Sequence, residues 1–432
     1  MKKEFIKYVV PSMIAYLFSG IYVSIDGLFI GQSVGDIGLA SINMAWPLTA
    51  IILAIGTGIG MGGAINLSNY MGATEKEKAD KALGNTITLL LIFSAILTIF
   101  LPLCAKPILK VLGANGQILE LAYDYVRILG LGSILQVLGV GIMPLLRNQN
   151  KSWLAMVFML MNFVFDTVLS GVFVIVLGYG VVGAALATLV GQSIALIPTL
   201  FILFRKENRV PTASYFLDSK IVQSIIKVGI SPFALYLLVP LTIVLMNWQA
   251  LSYGGTSAVA AYAVISYVLS VGQLLLQGVG DGSQPLISFH YGANNNIAVK
   301  QVKRWTYFTS IATGAVITLG IIAFNNTIPV LFGVSKETTE ILLYALPVCA
   351  ISLLFNAFSR STSAYFYAIK EVRNASFMVY GEALIVLPIC VLLLPKLLGV
   401  TGVWVAVTAL QIILFFIALI LLKRVSIKTS PN

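Results

Sequence analysis

Charged and turn-rich breaks divide the chain into twelve apolar stretches, at 9–33, 38–69, 82–105, 118–146, 153–177, 181–204, 228–252, 257–289, 305–325, 339–368, 375–395 and 400–422. About 20 apolar residues in a helix cross the hydrocarbon layer of a bilayer, where every backbone N–H and C=O must be satisfied inside the segment. Each stretch therefore reads as one membrane-spanning helix, and the chain as an all-α integral membrane protein. A membrane β-barrel would show short alternating segments, and the sequence has none. Of the 432 residues 59% are hydrophobic and 10% charged, whereas about a quarter are charged in soluble domains. The first stretch follows Lys2, Lys3 and Lys7 as a leader would, but it is longer than a leader's apolar region, so it is expected to be retained as span 1.

The net charge of +11 suggests nucleic acid only until the basic residues are placed. With the N-terminus inside, 21 of the 27 Lys and Arg residues fall on cytoplasmic segments, including Lys206, Arg209, Lys220 and Lys227 between spans 6 and 7. Lys106, Lys110, Lys336 and Lys396 fall on outer loops, and Arg127 and Arg360 within helices. The bias puts both termini in the cytoplasm of a bacterial or archaeal cell (inner) membrane, and it implies no nucleic-acid partner. Cys104, Cys349 and Cys390 are widely spaced within apolar stretches and suggest neither disulfides nor a metal site. His290, the one histidine, gives little basis for a metal site or a histidine proton relay.

The chain is also built twice. Gly58, Gly60, Gly62, Ser68 and Gly72-Ala73 recur 220 positions on as Gly278, Gly280, Gly282, Ser288 and Gly292-Ala293, and Pro11 recurs after 221 as Pro232. Gly180, Gly183 and Gln192 recur after 219 as Gly399, Gly402 and Gln411. Six spans per copy make the copies parallel repeats, an N-lobe at 1–204 and a C-lobe at 228–432, joined by a polar cytoplasmic linker at 205–227. Spans 2 and 8 are longer than a bilayer requires. Their G-x-G-x-G runs cover more than one helix face and read as close helix contact, because no strand precedes them to form a nucleotide loop.

The ionisable groups are not doubled. Asp26 meets Asn247 in the repeat, and Asp166 meets Ile385 or Val386. A carboxylate in the membrane costs several kcal/mol unless paired, hydrated or protonated, so such residues usually serve function. Asn162 and Asp166, four residues apart, share a helix face. Two carboxylates in one site raise each other's proton affinity, or with amide and hydroxyl oxygens hold Na⁺. The alternative is a structural network joining helices. In the C-lobe, Asp281 could meet a cationic substrate, gate the inner face or pair with a lysine, and Glu382, opposite Asn162 in the repeat, could be a second proton or substrate site. Arg360 is expected to pair with one of these acids, which would make the group structural.

Pro11 followed by Asp26 and Gly31, Asn162-x-x-x-Asp166, Gly183-Ala184-Ala185-x-Ala187-Thr188, and Gln284-Pro285-Leu286 to Tyr291-Gly292-Ala293 stand in an order that resembles the multidrug and toxic compound extrusion (MATE) transporters, nearest their MepA-like and DinF-like branch. The resemblance covers essentially the whole chain. It implies twelve helices in two six-helix bundles, a cavity that alternates between faces, an N-lobe cation site of Asp26, Asn162, Asp166 and Thr188, and a span 1 that bends at Pro11. Another branch carries a C-lobe sodium site with a glutamate on span 7 and an aspartate on span 10. Here span 7 offers Leu238, Val239 and Pro240, and Asn356 stands at the second position, so that site is not expected; Asn356 joins Asp281, Glu382 and Arg360 as a candidate for substrate binding or gating. The family's glycine after spans 4 and 10 is replaced by Asn150 and Lys370, which reads as loop variation.

The expectation is a monomeric exporter of organic, cationic amphipathic compounds in exchange for H⁺ or Na⁺, with no cofactor and no enzymatic activity. Aromatic residues such as Tyr22, Trp46, Tyr236, Trp248, Tyr262 and Tyr267 would offer some faces to flat cations. A flippase for a lipid-linked oligosaccharide shares the two-bundle plan but would need a cationic cavity, and the membrane charges here are mostly acidic. A membrane-embedded enzyme would need clustered His, Asp or Ser motifs. A major-facilitator transporter would carry a basic signature loop where this chain has Gly72-Ala73-Thr74-Glu75-Lys76-Glu77-Lys78.

Overall fold

The computed structural model describes residues 1–205 and 210–428, so Lys206 and Arg209 of the basic linker lie outside the described residues. Those residues are helical almost throughout, without a strand among them. The helices are α1 (Lys2–Val34), α2 (Asp36–Gly72), α3 (Lys76–Val111), α4 (Gly116–Leu131), α5 (Ser133–Asn148), α6 (Ser152–Ser170), α7 (Gly180–Leu203) and α8 (Ser219–Leu237). After these come α9 (Val239–Gly292), α10 (Asn296–Ala323), α11 (Ile328–Phe332), α12 (Lys336–Ala350), α13 (Ser352–Ala368), α14 (Val372–Gly381), α15 (Leu387–Leu398) and α16 (Val400–Lys428). Lys106 and Lys110, expected on a loop, lie in the last turns of α3, and Lys106 pairs with Glu120 of α4 at 2.8 Å.

Ten continuous stretches among the described residues are long and apolar enough to span a bilayer, and α4 with α5, bent by 62°, forms an eleventh. One of the ten, Ser219–Gly292, has 74 residues. At 1.5 Å per residue that is about 110 Å, against about 30 Å of hydrocarbon. It is broken at Gly255, whose φ of 66° and ψ of −162° are not helical; divided there, the described residues form twelve spans. α2, with 37 residues, is about 55 Å long, which confirms the expected excess over the bilayer.

The doubling extends to the backbone. Among the described residues, left-handed φ occurs at four that are not glycine, Thr74, Asn150, Asn294 and Lys370, which form two pairs 220 positions apart, 74 with 294 and 150 with 370. Among the left-handed glycines, Gly35 matches Gly255 and Gly113 matches Gly333 at the same offset, and Gly180 matches Gly399 at 219. Asn150 and Lys370 are thus more than loop variation, because the turn that favours glycine is kept without glycine.

Two compact units divide the chain, one of Lys2–Leu237 with Ser288–Asn296, the other mainly of Leu238–Ile287 and the residues from Ile297 onward. The core of the first gathers Leu48, Ile52, Leu90, Leu109, Ile142 and Leu145. That of the second gathers Ile265, Leu276, Leu346, Leu353, Val391 and Trp404.

The glycine run of α2 explains the tight packing of the first unit. A Cβ at Gly58 would meet Gly229 and Phe233 of α8, and one at Gly62 would meet the Ile225 carbonyl. Gly56 and Gly60 face α5 instead, at Val137 and Gly141, and Gly63 receives Thr86 of α3. Glycines at every second position thus serve two faces and two neighbours, the close helix contact expected from the sequence.

Candidate functional site

Three elements of the first unit bring the N-lobe residues together. α6 carries Asn162, Asp166 and Ser170 at successive i, i+4 positions, a single stripe along the helix. α1 carries Tyr22 and Asp26 at the same spacing, and α7 carries Thr188. α7 approaches α6 closely because residue 191 is glycine, where a Cβ would meet the Asp166 backbone nitrogen at 2.9 Å.

Asp166 is 1% exposed. Both its carboxylate oxygens and the Oδ1 of Asn162 are buried without a hydrogen-bond partner. The hydroxyls of Tyr22, Thr188 and Ser170 stand around Asp166 but not in full hydrogen-bond geometry. Asp26 lies close enough for the two carboxylates to repel, and its Oδ1 accepts a 2.7 Å hydrogen bond from the Ser170 hydroxyl. Tyr22 stacks on Phe163 with ring centroids 5.4 Å apart, and Tyr125 of α4 lies near both acids. Thr188 donates at 3.1 Å to the Ala184 carbonyl of its own helix, which leaves its lone pairs free for a ligand.

Two acids and an amide oxygen, all acceptors and largely unsatisfied, form a site that lacks positive charge. The donor set suits a proton or a small hard cation. Immediately after Ser170 the helix widens into a π turn, Gly171–Val176, whose Val174 carbonyl accepts from Ser33 of α1 at 3.0 Å. Such turns often mark functional positions. Pro11 lies in the first third of α1, away from this cluster.

Ser170, Tyr22, Tyr125 and Gly191 were not singled out for this site from the sequence. The first two could have been, since each stands four residues from an acid on the same face.

In the second unit the acids are separate. Asp281, 2% exposed, accepts from the Tyr367 hydroxyl at 2.8 Å and from Gln277 Nε2 at 3.0 Å. Glu382 opens a second π turn, Glu382–Val386, and accepts from Gln411 Nε2 at 2.9 Å; Gln411 in turn accepts from Asn356 Nδ2 at 3.2 Å. The expected ion pair of Arg360 with Asp281 or Glu382 is not formed among the described residues; ion pairs stand elsewhere, for example Lys81–Glu77 and Lys106–Glu120. Neutral donors from Tyr367, Gln277 and Gln411 take its place. Span 7 is interrupted at Leu238, between α8 and α9, where Pro240 supplies no N–H.

Twelve spans among the described residues, in a doubled six-span plan with acids buried in the membrane region, mark a polytopic transporter built from repeats. The MatE family model matches residues 11–172 and 233–392, one match in each half of the chain. The chain belongs to the MATE family, a family of membrane transporters rather than enzymes. It is 25% identical to the multidrug export protein MepA of Staphylococcus haemolyticus over 98% of this chain and 95% of that protein. Among solved structures, a MATE transporter in an outward-facing conformation superposes with a TM-score of 0.94 at 23% identity, covering 99% of this chain and 97% of the other. A MOP-superfamily transporter from Pyrococcus furiosus gives 0.94 at 23%, over 100% and 97%.

Proposed function

We propose that the chain exports organic, cationic amphipathic compounds by alternating access, in exchange for H⁺ or Na⁺ taken up at Asp26, Asn162, Asp166 and Thr188. The observation that carries the reading is the unsatisfied acceptor cluster: buried Asp166 and Asn162 oxygens without partners, beside a second carboxylate. The MepA relative, named a multidrug export protein, supports the choice of cargo. Lobes 1–204 and 228–432, joined by 205–227 and with both termini cytoplasmic, are the units proposed to move.

The mechanism follows from charge. With the site empty, the two carboxylates repel and attract cations; when a proton or Na⁺ binds, that field is neutralised and α1 can pack against α6 differently. Ser33 on the Val174 carbonyl and Ser170 on Asp26 are the bonds that would carry the change along α1, with Pro11 as the place where α1 bends. Exchange requires only that ion and cargo favour different conformations. One elementary charge moving through 100 mV supplies about 2.3 kcal/mol, enough for a gradient of roughly fifty-fold.

The test is dye efflux from everted vesicles under an imposed pH or Na⁺ gradient. Asp26→Asn and Asp166→Asn are each expected to lower gradient-driven efflux by at least about tenfold, the effect of losing one charged interaction of roughly 1.4 kcal/mol or more. Undiminished coupled efflux in both variants would overturn the N-lobe site.

A further inference from the structure

We propose that the end of the linker and the first turns of α8 hold one anionic phospholipid of the cytoplasmic leaflet, its headgroup on Lys220 and Lys227 and an acyl chain along Val222, Ile226 and Ile230. An open groove of about 680 Å³ lies there, lined by Leu217, Ser219, Val222, Gln223, Ile226 and Lys227. All of these residues belong to the first unit.

Helix periodicity divides the groove by chemistry. Ile221, Ile225, Val228 and Gly229 of α8 are buried, and Ile225 and Gly229 face Gly62 and Gly58 of α2. The opposite face of α8 is open, with Ile226 49% and Ile230 42% exposed and Lys220, Gln223 and Lys227 exposed beside them. Val222, Ile226 and Ile230 stand at i, i+4 spacing and form an apolar stripe. Lys220, Gln223 and Lys227, at i, i+3 and i+7, form a basic stripe along its edge.

The segment before α8 places the groove at the membrane surface. Asn85 and Thr88 lie inside the third apolar stretch, 82–105, and their bonds to the carbonyls of Ser214, Phe216 and Tyr215 draw this part of the linker to the same depth. There Phe216 and Leu217 turn outward, 76% and 50% exposed. Leaving two large apolar side chains in water forfeits the gain of burying them, so a backbone fixed to present them suits contact with lipid. In the proposed topology α8 runs from the cytoplasmic side into the membrane. Lys227 then lies about 10 Å further along the axis than Lys220, and its long side chain can reach back to the headgroups.

Charge selects the lipid. Neither Lys220 nor Lys227 is in an ion pair among the described residues. Asp218, just ahead of them, is turned to Lys81 and to the amides of Lys220 and Ile221. Two ammonium groups at the cytoplasmic end of a span suit the phosphodiester of an anionic lipid, whereas an organic cation would be repelled. A second protein chain fits less well, because the apolar stripe continues to Ile230, inside the membrane-spanning part of α8, where lipid is the solvent.

Lipid binding is measured on the purified full-length transporter without transport, so its failure would leave the exporter reading untouched. The protein in detergent is titrated with dioctanoyl phosphatidylglycerol or dioctanoyl phosphatidylcholine, and bound lipid is counted by native mass spectrometry. Phosphatidylglycerol is expected to fill one site first, and Lys220→Gln/Lys227→Gln to weaken it about twenty-fivefold, or about fivefold for each lysine. Ile226→Gln should weaken it as well, because the apolar stripe holds the acyl chain. Lys2→Gln/Lys3→Gln, which removes the same charge at the start of α1, should leave it nearly unchanged. The proposal is overturned if the two lipids bind alike, if the Lys220/Lys227 variant loses nothing, or if the Lys2/Lys3 variant loses as much. Competition by glycerol phosphate as strong as by the lipid would also overturn it, by showing a phosphate site that needs no membrane. Should the double variant fail to fold, Lys220→Gln and Lys227→Gln decide singly, and unchanged binding in both contradicts the site.

Discussion

Single residues carry both the chemistry and the strain of this chain. Asp166 has two oxygens with no partner, while Asp281, equally buried, accepts from Tyr367 and Gln277. The contrast separates the acid proposed to take up a cation from one that ties helices together, and it was invisible in sequence, where both are lone acids in apolar helices. Spacing alone placed Asn162 and Asp166 on one face, and applied to Ser170 and Tyr22 it would have found them as well. Pairing Arg360 with an acid needed depth and rotation, which sequence does not contain. Lys370 gives a stability prediction at this scale. Its φ of 59° lies in the left-handed region, where a side chain costs about 1 kcal/mol relative to glycine. Lys370→Gly should therefore stabilise the purified protein by about that amount, seen as a higher midpoint of thermal unfolding. A lower midpoint would show that contacts of the lysine outweigh the strain.

Among the elements, residues 214–218 between spans 6 and 7 are held by a set of specific polar contacts. Buried Asn85 of α3 donates to the carbonyls of Ser214 and Phe216 at 2.9 and 3.0 Å and accepts from the Asp218 amide at 2.8 Å. Thr88 adds a bond to the Tyr215 carbonyl at 2.9 Å, and Gly84 leaves room for the Ser214 carbonyl. Removing the clamp with Asn85→Ala should cost about 1–3 kcal/mol, because buried carbonyls lose their donors. Limited trypsin digestion of the purified protein should then cut faster at Lys220; an unchanged rate would mean the linker is held by other contacts. Asp218 ends this segment by accepting from the amides of Ile221 and Lys220, which hold its carboxyl below the usual aspartate range, with Lys81 assisting. Its contribution is thus present above the ordinary aspartate value and lost as pH falls through the lowered one, so in acid the segment should loosen, seen as faster cutting by pepsin at exposed Phe216 and Leu217. The sequence showed this stretch only as a polar boundary, since a clamp by one asparagine some 130 residues earlier leaves no local pattern. The glycines of α2 were legible as helix contacts, because alternate spacing must serve two faces.

Across the whole molecule, the repeat governs the backbone and releases the side chains. Paired left-handed turns at 74 and 294, and at 150 and 370, show a common frame. On it the two halves place acids one turn apart, Asp166 against Glu382, and surround them with different donors. The twelve spans were legible from apolar runs alone, except that the break in span 4 and the π turns following Ser170 and beginning at Glu382 carry no distinctive sequence signal. The central claim is that cation uptake at Asp26 and Asp166 is coupled to release of the exported compound. Linkage makes such coupling reciprocal: the factor by which the ion weakens cargo binding equals the factor by which cargo weakens ion binding. The most direct measurement is equilibrium binding of a fluorescent organic cation to the purified transporter across a range of pH and Na⁺, with ion binding measured in the presence and absence of the dye. Equal factors in both directions, about fivefold or more, that vanish in Asp26→Asn/Asp166→Asn are the predicted result. Dye binding that ignores both ions, or coupling that persists in the double variant, would contradict it.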